Sequence, residues 1–290
     1  MNTQNEQLYN SAGELDPHFG ENGFVPMPSP TADYPEFVSR VTAIGPDNMI
    51  YIAGEASQGL NQSLYTLTRL NDNGSIDTSF GKQGHFYDYF YQSDRSHFYA
   101  EQIIFKNERI ILTGNLYYQA NGVMNFDKAA VRFLSNGTLD EEFGEKGKYI
   151  FHFPDTDIAA SAYNEECLKN ARSKYAAPPH SNQFKPYSRE ASLVQGDNII
   201  LFHTTGTPER TDSLIIRLTE DGALDTTFNG SGFVRVSHDQ FPFLKLYSVS
   251  VDDTGNYISA GSVRADHNEQ PDSIILVKHG KDGSLDTSFQ

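Results

Sequence analysis

Cysteine, tryptophan and positive charge are all scarce in this sequence. Its 290 residues include one cysteine, Cys167, and no tryptophan, and 22 Lys and Arg stand against 38 Asp and Glu. A single cysteine excludes a disulfide within the chain. The net charge of −16 at pH 7 repels phosphate backbones and anionic lipid, so we expect neither a nucleic acid nor a membrane as partner.

Long apolar runs are also lacking. No stretch is apolar enough to span a bilayer, and the first residues show no basic start followed by an apolar run, so no secretory signal is visible. We therefore expect a cytoplasmic protein, or one exported without such a signal. The sequence instead has 23 Gly, 20 Phe and 16 Tyr in short segments separated by Asn-Gly and Asp-Gly steps, which is typical of an all-β protein.

The pattern Gly-x-Leu-Asp-x-x-Phe-Gly-x-x-Gly recurs, with small changes, along the whole chain. Its five copies occupy 13–23, 74–84, 137–147, 222–232 and 283–290. Repetition with a period of about sixty residues specifies an array of similar units, here a single domain over 1–290. Residues found in every copy are expected to serve the scaffold, so function is sought where the copies differ.

Each repeat contains short segments with strand character. In the first repeat they are VTAI (41–44), MIYIAG (49–54), SLYTLTRL (63–70) and HFYDYF (85–90). Such segments joined by tight turns predict a small antiparallel sheet. The last repeat lacks its outer strand, and GFVPM (23–27) is left over at the N-terminus. The prediction is an all-β propeller with four blades of four antiparallel strands, closed by this N-terminal strand.

One segment departs from the repeat. An insertion near 154–186 contains YNEECLKNARSKY (163–175), which predicts a short helix. Cys167 lies in it and is interpreted as an ordinary buried thiol. Simple closure also needs one motif copy fewer than the chain has. Overlapping termini, or a homodimer formed through the terminal strands, are the alternatives that this extra copy leaves open.

The period and the D-G-x-L-D-x-x-F-G-x-x-G pattern resemble the bacterial delta-sixty repeat family. The resemblance covers nearly the whole chain except the insertion. It implies a tandem β-propeller-type fold and a bacterial origin, and it implies no reaction. The fourth copy departs from the pattern, because Asn229 replaces the motif's second glycine.

The motif residues themselves favour a structural role. We expect each motif aspartate to cap the turn that follows it and to pair with a cation five residues before the first glycine. These residues are Asp77, Asp140, Asp225 and Asp286, with Arg69, Arg132, Arg217 and Lys278. The Asp-rich turns distantly resemble calcium loops. The full D-x-[DN]-x-[DN]-G-x5-E pattern is absent, so no metal site is predicted.

The long, irregular connections of a propeller built this way would share one face, opposite the motif. Aromatic residues, cations and imidazoles are frequent in them, as in recognition surfaces. The predicted binding residues are Tyr34, Phe37, Tyr91, Arg95, His97, Tyr117, Tyr118, Tyr187, Arg210, Phe241 and Arg264. Packing of these rings against the blade tops is the alternative. The expected partner is a protein or a carbohydrate.

Patterns of catalytic residues are sparse. The innermost strands would be VTAI, EQII, ASLV and SVSV, in which Glu101 is the only ionisable residue. The chain has no nucleophile elbow, no P-loop and no metal-binding histidine pair. The sequence therefore predicts a non-enzymatic binding protein without cofactor. The alternative is a hydrolase or lyase with a site built from loops over the channel, for which His97, His203 and His267 are candidates.

Overall fold

The structure, a computed structural model, describes residues 13–59, 62–93, 95–120, 123–152, 192–207, 210–266 and 273–289. These residues form strands and turns, with no helix among them. The strands are β1 Glu36–Ile44, β2 Ile50–Ser57, β3 Ser63–Leu70, β4 His85–Asp88, β5 Ser96–Lys106, β6 Arg109–Ala120, β7 Val123–Leu134, β8 Lys148–Phe151, β9 Leu193–Gln195, β10 Asn198–Thr207, β11 Arg210–Leu218, β12 Phe233–Val236, β13 Phe243–Val251, β14 Tyr257–Arg264 and β15 Ser273–His279. The predicted helical insertion at 154–186, with Cys167, lies outside the described residues.

The strands form four consecutive antiparallel sheets. The first holds β1 to β4, the second β5 to β8, the third β9 to β12 and the fourth β13 to β15. A parallel bridge from Gln62 to Ser96 links the first two sheets, and the equivalent pairing of Thr211 with Phe243 links the last two. Sequential sheets of this kind are propeller blades. The all-β, propeller-type organisation predicted from the repeats is confirmed.

Apolar side chains fill the space between neighbouring sheets. Tyr65 and Leu67 of the first sheet pack with Phe98 and Leu112 of the second, and all of them are almost completely buried. Similar clusters lie between the second and third sheets and between the third and fourth. Side chains alternate along a strand, so each sheet presents one row of residues to each neighbour.

The motif forms a turn after the third strand of each sheet. We call this side of the molecule the lower face and the opposite side the upper face. The predicted cations meet their aspartates, with Arg69–Asp77 at 2.6 Å, Arg132–Asp140 at 2.9 Å, Arg217–Asp225 at 2.7 Å and Lys278–Asp286 at 3.5 Å. Asp77 also accepts a hydrogen bond from the backbone of Ser79 at 3.0 Å, as a cap does. Hydrogen bonds from Ser79 and the ion pair with Arg69 lower the pKa of Asp77.

Successive motifs contact one another through a phenylalanine and a glycine. A Cβ atom on Gly137 would lie 2.7 Å from the Phe80 ring, and Gly137 has a φ of +84° that suits glycine. Gly81 N donates to Asn136 O at 2.8 Å across the same contact. The same arrangement recurs between the other neighbouring motifs, with Phe19 on Gly74, Phe143 on Gly222 and Phe228 on Gly283. We call each of these contacts a motif joint.

The predicted closure by the N-terminal strand is wrong. β15 pairs with β14 alone, so the fourth sheet has three strands among the described residues, and no sheet is closed. Residues 24–27 pair with none of the named strands. The first motif instead packs on the second, where Gly20 N donates to Asn73 O at 2.9 Å. This motif joint holds the first motif beside the second.

Candidate functional site between the second and third sheets

The inner strands of three sheets carry a β-bulge towards the upper face. The ladder register shifts between Ser39 and Val41, between Ala100 and Gln102, and between Leu246 and Ser248. The residues in the bulges are Arg40, Glu101 and Tyr247. A bulge leaves its residue outside the ladder and turns the side chain in a new direction. We call the position of these three residues the bulge level.

A glycine on the second strand makes each bulge possible. A Cβ atom would lie 2.1 Å from Val38 O at Gly54, 2.2 Å from Tyr99 O at Gly114 and 2.1 Å from Lys245 O at Gly261. No side chain fits at such distances. Counting along the ladder from the motif, His203 occupies this position in the third sheet. The third sheet is therefore built differently at the bulge level.

Each bulge residue pairs with the residue that follows the glycine. Arg40 forms an ion pair with Glu55, Asn115 donates to Glu101 at 2.7 Å, and the hydroxyls of Tyr247 and Ser262 lie 3.1 Å apart. The geometry is the same in each sheet and the chemistry differs. Function is sought where the copies of the repeat differ, and these pairs are such a place.

Glu55 collects several partners around one buried carboxylate. Arg40 Nε donates to Glu55 Oε1 at 3.0 Å, and Ser63 Oγ donates to Oε2 at 3.2 Å. His97 Nδ1 lies 4.0 Å from the same Oε2. The glutamate therefore joins the first sheet to an imidazole on the inner strand of the second.

Glu101 lies in a second charged group, between the second and third sheets. Lys128, whose side chain is fully buried, forms an ion pair with Glu101, and Asn115 donates to the other carboxylate oxygen. Asn115 Oδ1 is buried and has no hydrogen-bond partner among the described residues. A buried acceptor without a donor requires an explanation, such as a bound water or ligand.

A row of rings passes this charged group. His97 stacks parallel to Tyr99 at 6.1 Å, Tyr99 contacts Tyr117 at 5.2 Å, and Tyr117 contacts Phe126 at 4.4 Å. Phe126 then contacts His203 at 5.1 Å. We call these five side chains the aromatic row. His97 and His203 lie at its two ends and do not converge on one point, and His267 lies outside the described residues.

A third cluster lies between the first and second sheets. Tyr118 Oη donates to Asp127 Oδ2 at 2.8 Å, and His152 Nδ1 lies 2.9 Å from the same oxygen. The hydrogen bond with Asp127 raises the pKa of His152, whereas burial raises the pKa of Tyr118. The His152 side chain is 63% exposed, so the pair is screened by solvent.

The ion pair of His152 predicts a dependence of stability on pH. Because the folded-state pKa of His152 lies above its usual 6.5, the stabilisation is fully present below that value and is lost as pH rises through the folded-state pKa. We expect His152→Gln to lower the melting temperature more at about pH 6 than at about pH 9. Thermal melts of the variant and the wild type at both values test this. A difference that is independent of pH would contradict it.

The structure distributes the predicted binding residues over the upper part of the sheets. Tyr91 packs on Tyr118 at 4.4 Å, while His97 and Tyr117 belong to the aromatic row. Four others make side-chain contacts elsewhere: Tyr34 with Tyr89, Arg210 with Asp212, Phe241 with His238 and Arg264 with Phe243. Phe37 is half-buried, and the backbone carbonyl of Arg95 accepts a hydrogen bond from Gln119. Tyr187 lies outside the described residues. A binding role for this set stays a prediction.

Glu101 is the lone ionisable residue of the innermost strands in the sequence, and its partners were missed at that point. Lys128 and Asn115 come from the two strands that follow Glu101, and only the bulge brings them to it. The small residue and glycine in IAGE, LTGN and SAGS (52–55, 112–115 and 259–262) are the signal that could have located the bulge level. Asp127 and His152 carry no comparable signal.

Two kinds of site are not found in the part of the chain that the structure describes. No group of three or more His, Cys, Asp or Glu in the described ranges could hold a metal ion. Within the same ranges, no helix is long and apolar enough to cross a membrane.

Two segments of the repeat match a known protein family. The model of a family described as a domain of unknown function, DUF5122 beta-propeller, matches residues 45–80 and 197–228. The chain carries β-propeller repeats. Each matched segment runs through the second and third strands of a sheet into the motif. The narrower resemblance to the delta-sixty repeat stays a prediction. No curated protein matches the chain.

Several solved structures resemble the chain. An α-L-arabinofuranosidase from Lactobacillus brevis is 9% identical with a TM-score of 0.41, over 85% of this chain and 74% of that one. A thermostable family-43 glycoside hydrolase is 9% identical with a TM-score of 0.42, over 93% and 78%. A GH43 endo-arabinanase from Bacillus licheniformis is 8% identical with a TM-score of 0.25, over 83% and 94%.

These neighbours correct one prediction. All three are named as enzymes, and this contradicts the prediction of a non-enzymatic binder that is more an interaction module than an enzyme. At such identities the likeness concerns the fold alone, and no residue or reaction is transferred from it.

Proposed function

We propose that the chain is a hydrolase whose active site lies at the bulge level between the second and third sheets, and that its substrate is a carbohydrate. The observation that carries the proposal is the buried Asn115 Oδ1, which lies beside the Glu101–Lys128 pair and has no donor among the described residues. A substrate hydroxyl would supply that donor. The bulge level replaces the loop-built site that the sequence suggested for a hydrolase.

Glu101 is the group we assign to the reacting centre. Lys128 and Asn115 fix both of its oxygens, which favours the charged form of a carboxylate. A carboxylate held in this way can activate a water molecule as a general base or attack the substrate directly. Hydrolysis of a glycosidic bond uses such a carboxylate together with a second group that protonates the leaving oxygen.

His97 is the candidate for that second group. It precedes Glu101 on the same strand, and its Nδ1 lies 4.0 Å from Glu55, which can stabilise the protonated imidazole. The His97 side chain is 20% exposed. It therefore has access to a substrate that lies along the aromatic row.

The aromatic row suits a carbohydrate. Tyr99 and Tyr117 offer ring faces that can cover the apolar face of a sugar, while Asn115 and Glu101 offer hydrogen-bonding groups for its hydroxyls. The net charge of −16 favours a neutral substrate over an anionic one.

Replacement of Glu101 tests the proposal. Glu101→Gln keeps the shape of the side chain and removes the charge, so we expect a loss of at least about a hundredfold in hydrolytic rate. The assay follows release of nitrophenol from a panel of neutral nitrophenyl glycosides. The matched control is Asp140→Asn, because Asp140 is also buried and paired, with Arg109 and Arg132, and lies in the third motif on the lower face.

Two results would overturn the proposal. One is a wild-type protein without activity on any glycoside in the panel. The other is an equal loss of activity in Glu101→Gln and Asp140→Asn at matched melting temperature, because that would trace the effect to the scaffold.

A further inference from the structure

The outward side of the fourth sheet exposes residues that are buried elsewhere. Ile274 and Leu276 of β15 are 85% and 56% exposed. Counted from the motif, they are equivalent to Tyr65 and Leu67 of the first sheet, which are fully buried against the second. The fourth sheet thus carries one half of a sheet-to-sheet interface that is not covered by described residues.

The first sheet exposes the complementary half of such a sheet-to-sheet interface. Ile44 of β1 is 65% exposed. Its equivalent in the second sheet is Phe105, which packs edge-on against Tyr51 of the first sheet at 4.9 Å. Since Ile274 and Ile44 are both exposed, the two ends of one chain do not cover each other.

The backbone pairing of the strands also distinguishes the fourth sheet from the other three. β3, β7 and β11 each pair with an outer strand that follows a motif, but β15 has no such neighbour among the described residues. Residues 24–27 follow the first motif in the same way and pair with no named strand. Phe24 is 61% exposed.

We propose that a second copy of this chain binds the fourth sheet with its own first sheet. Its residues 24–27 supply the missing outer strand beside β15, and its Ile44 side covers Ile274 and Leu276. The contact continues the interface that already joins successive sheets within the chain. It is head-to-tail, because the two surfaces differ, and such contacts close into rings or extend into filaments.

The partner's first motif takes the place now held by the fifth motif. The fifth motif is held loosely, since Phe289 is 38% exposed whereas Phe80, Phe143 and Phe228 are fully buried. This explains why the chain carries one motif copy more than it has sheets.

The test is a pair of complementary variants studied by light scattering after size exclusion. Ile274→Lys blocks the fourth-sheet surface, and Phe24→Asp blocks the first-sheet surface. We expect the wild type to form multimers of the 32.4 kDa chain and each variant alone to be monomeric. An equimolar mixture of the two variants should form a dimer, because one intact pair of surfaces remains. Ser135→Lys, at an exposed position in the turn after β7, is the control that should assemble like the wild type.

Either of two outcomes would overturn the proposal. One is a wild type whose measured mass stays at 32.4 kDa up to its solubility limit. Closure of the two ends within one chain would give the same mass. The other is a variant mixture that remains monomeric although the wild type assembles, since that would exclude a head-to-tail contact.

Discussion

Gly137→Ala is expected to lower the free energy of unfolding by about 3 kcal/mol, from backbone strain and from overpacking together. The added Cβ would lie 2.7 Å from the Phe80 ring, and Phe80 is fully buried with no room to withdraw. A φ of +84° adds strain for any residue other than glycine. The substitution therefore acts on a motif joint, and urea denaturation followed by circular dichroism measures its cost.

Gly13→Ala is the matched control for this substitution. Gly13 has a φ of +77°, and no described atom lies within 4 Å of its Cβ position. It should show the backbone strain without the steric contact, at a cost of about 1 kcal/mol. Equal destabilisation at the two glycines would show that Phe80 contributes nothing to the effect of Gly137→Ala.

Lys128→Met is expected to cost about 3–5 kcal/mol, because removal of one member of a buried ion pair leaves the other charge without compensation. Lys128 is fully buried and pairs with one carboxylate oxygen of Glu101, while Asn115 donates to the other oxygen. Denaturant titration gives the difference in unfolding free energy. The double variant Lys128→Met with Glu101→Gln should recover most of the stability, because it removes both charges.

Lys106→Met provides the comparison for a pair with one solvent-exposed member. The Lys106 side chain is 12% exposed and also donates to the Gly196 carbonyl, but Asp197 is 80% exposed, so solvent screens the pair and it contributes about 0–1 kcal/mol. If Lys128→Met cost no more than Lys106→Met, the Glu101–Lys128 pair could not be the strongly coupled group that the proposed active site needs.

The repeats made the sheets predictable, whereas the site depends on contacts that the alternation of side chains does not record. Segments such as SLYTLTRL were correctly placed in strands because alternation follows directly from one buried side. The bulge at Glu101 could not be predicted in this way, since one extra residue changes the direction of the side chain without changing the composition. Asp127 and His152 meet because Phe151, the last residue of β8, pairs with Lys128 of β7, which places the next residue beside Asp127.

The error about closure has a different cause. GFVPM resembles an outer strand by composition, and composition does not specify which sheet it joins. In the structure residues 24–27 pair with none of the named strands, and the motif joint at Gly20 places the first motif beside the second.

The motif joints also determine how stability is shared along the chain. Each joint connects a sheet only to its immediate neighbours, so cooperativity passes from sheet to sheet as in a linear array. A defect at Gly222, in the joint made with Phe143, would uncouple the two halves of the molecule and let them unfold as separate units. A defect at Gly74, at one end, would release only the N-terminal segment.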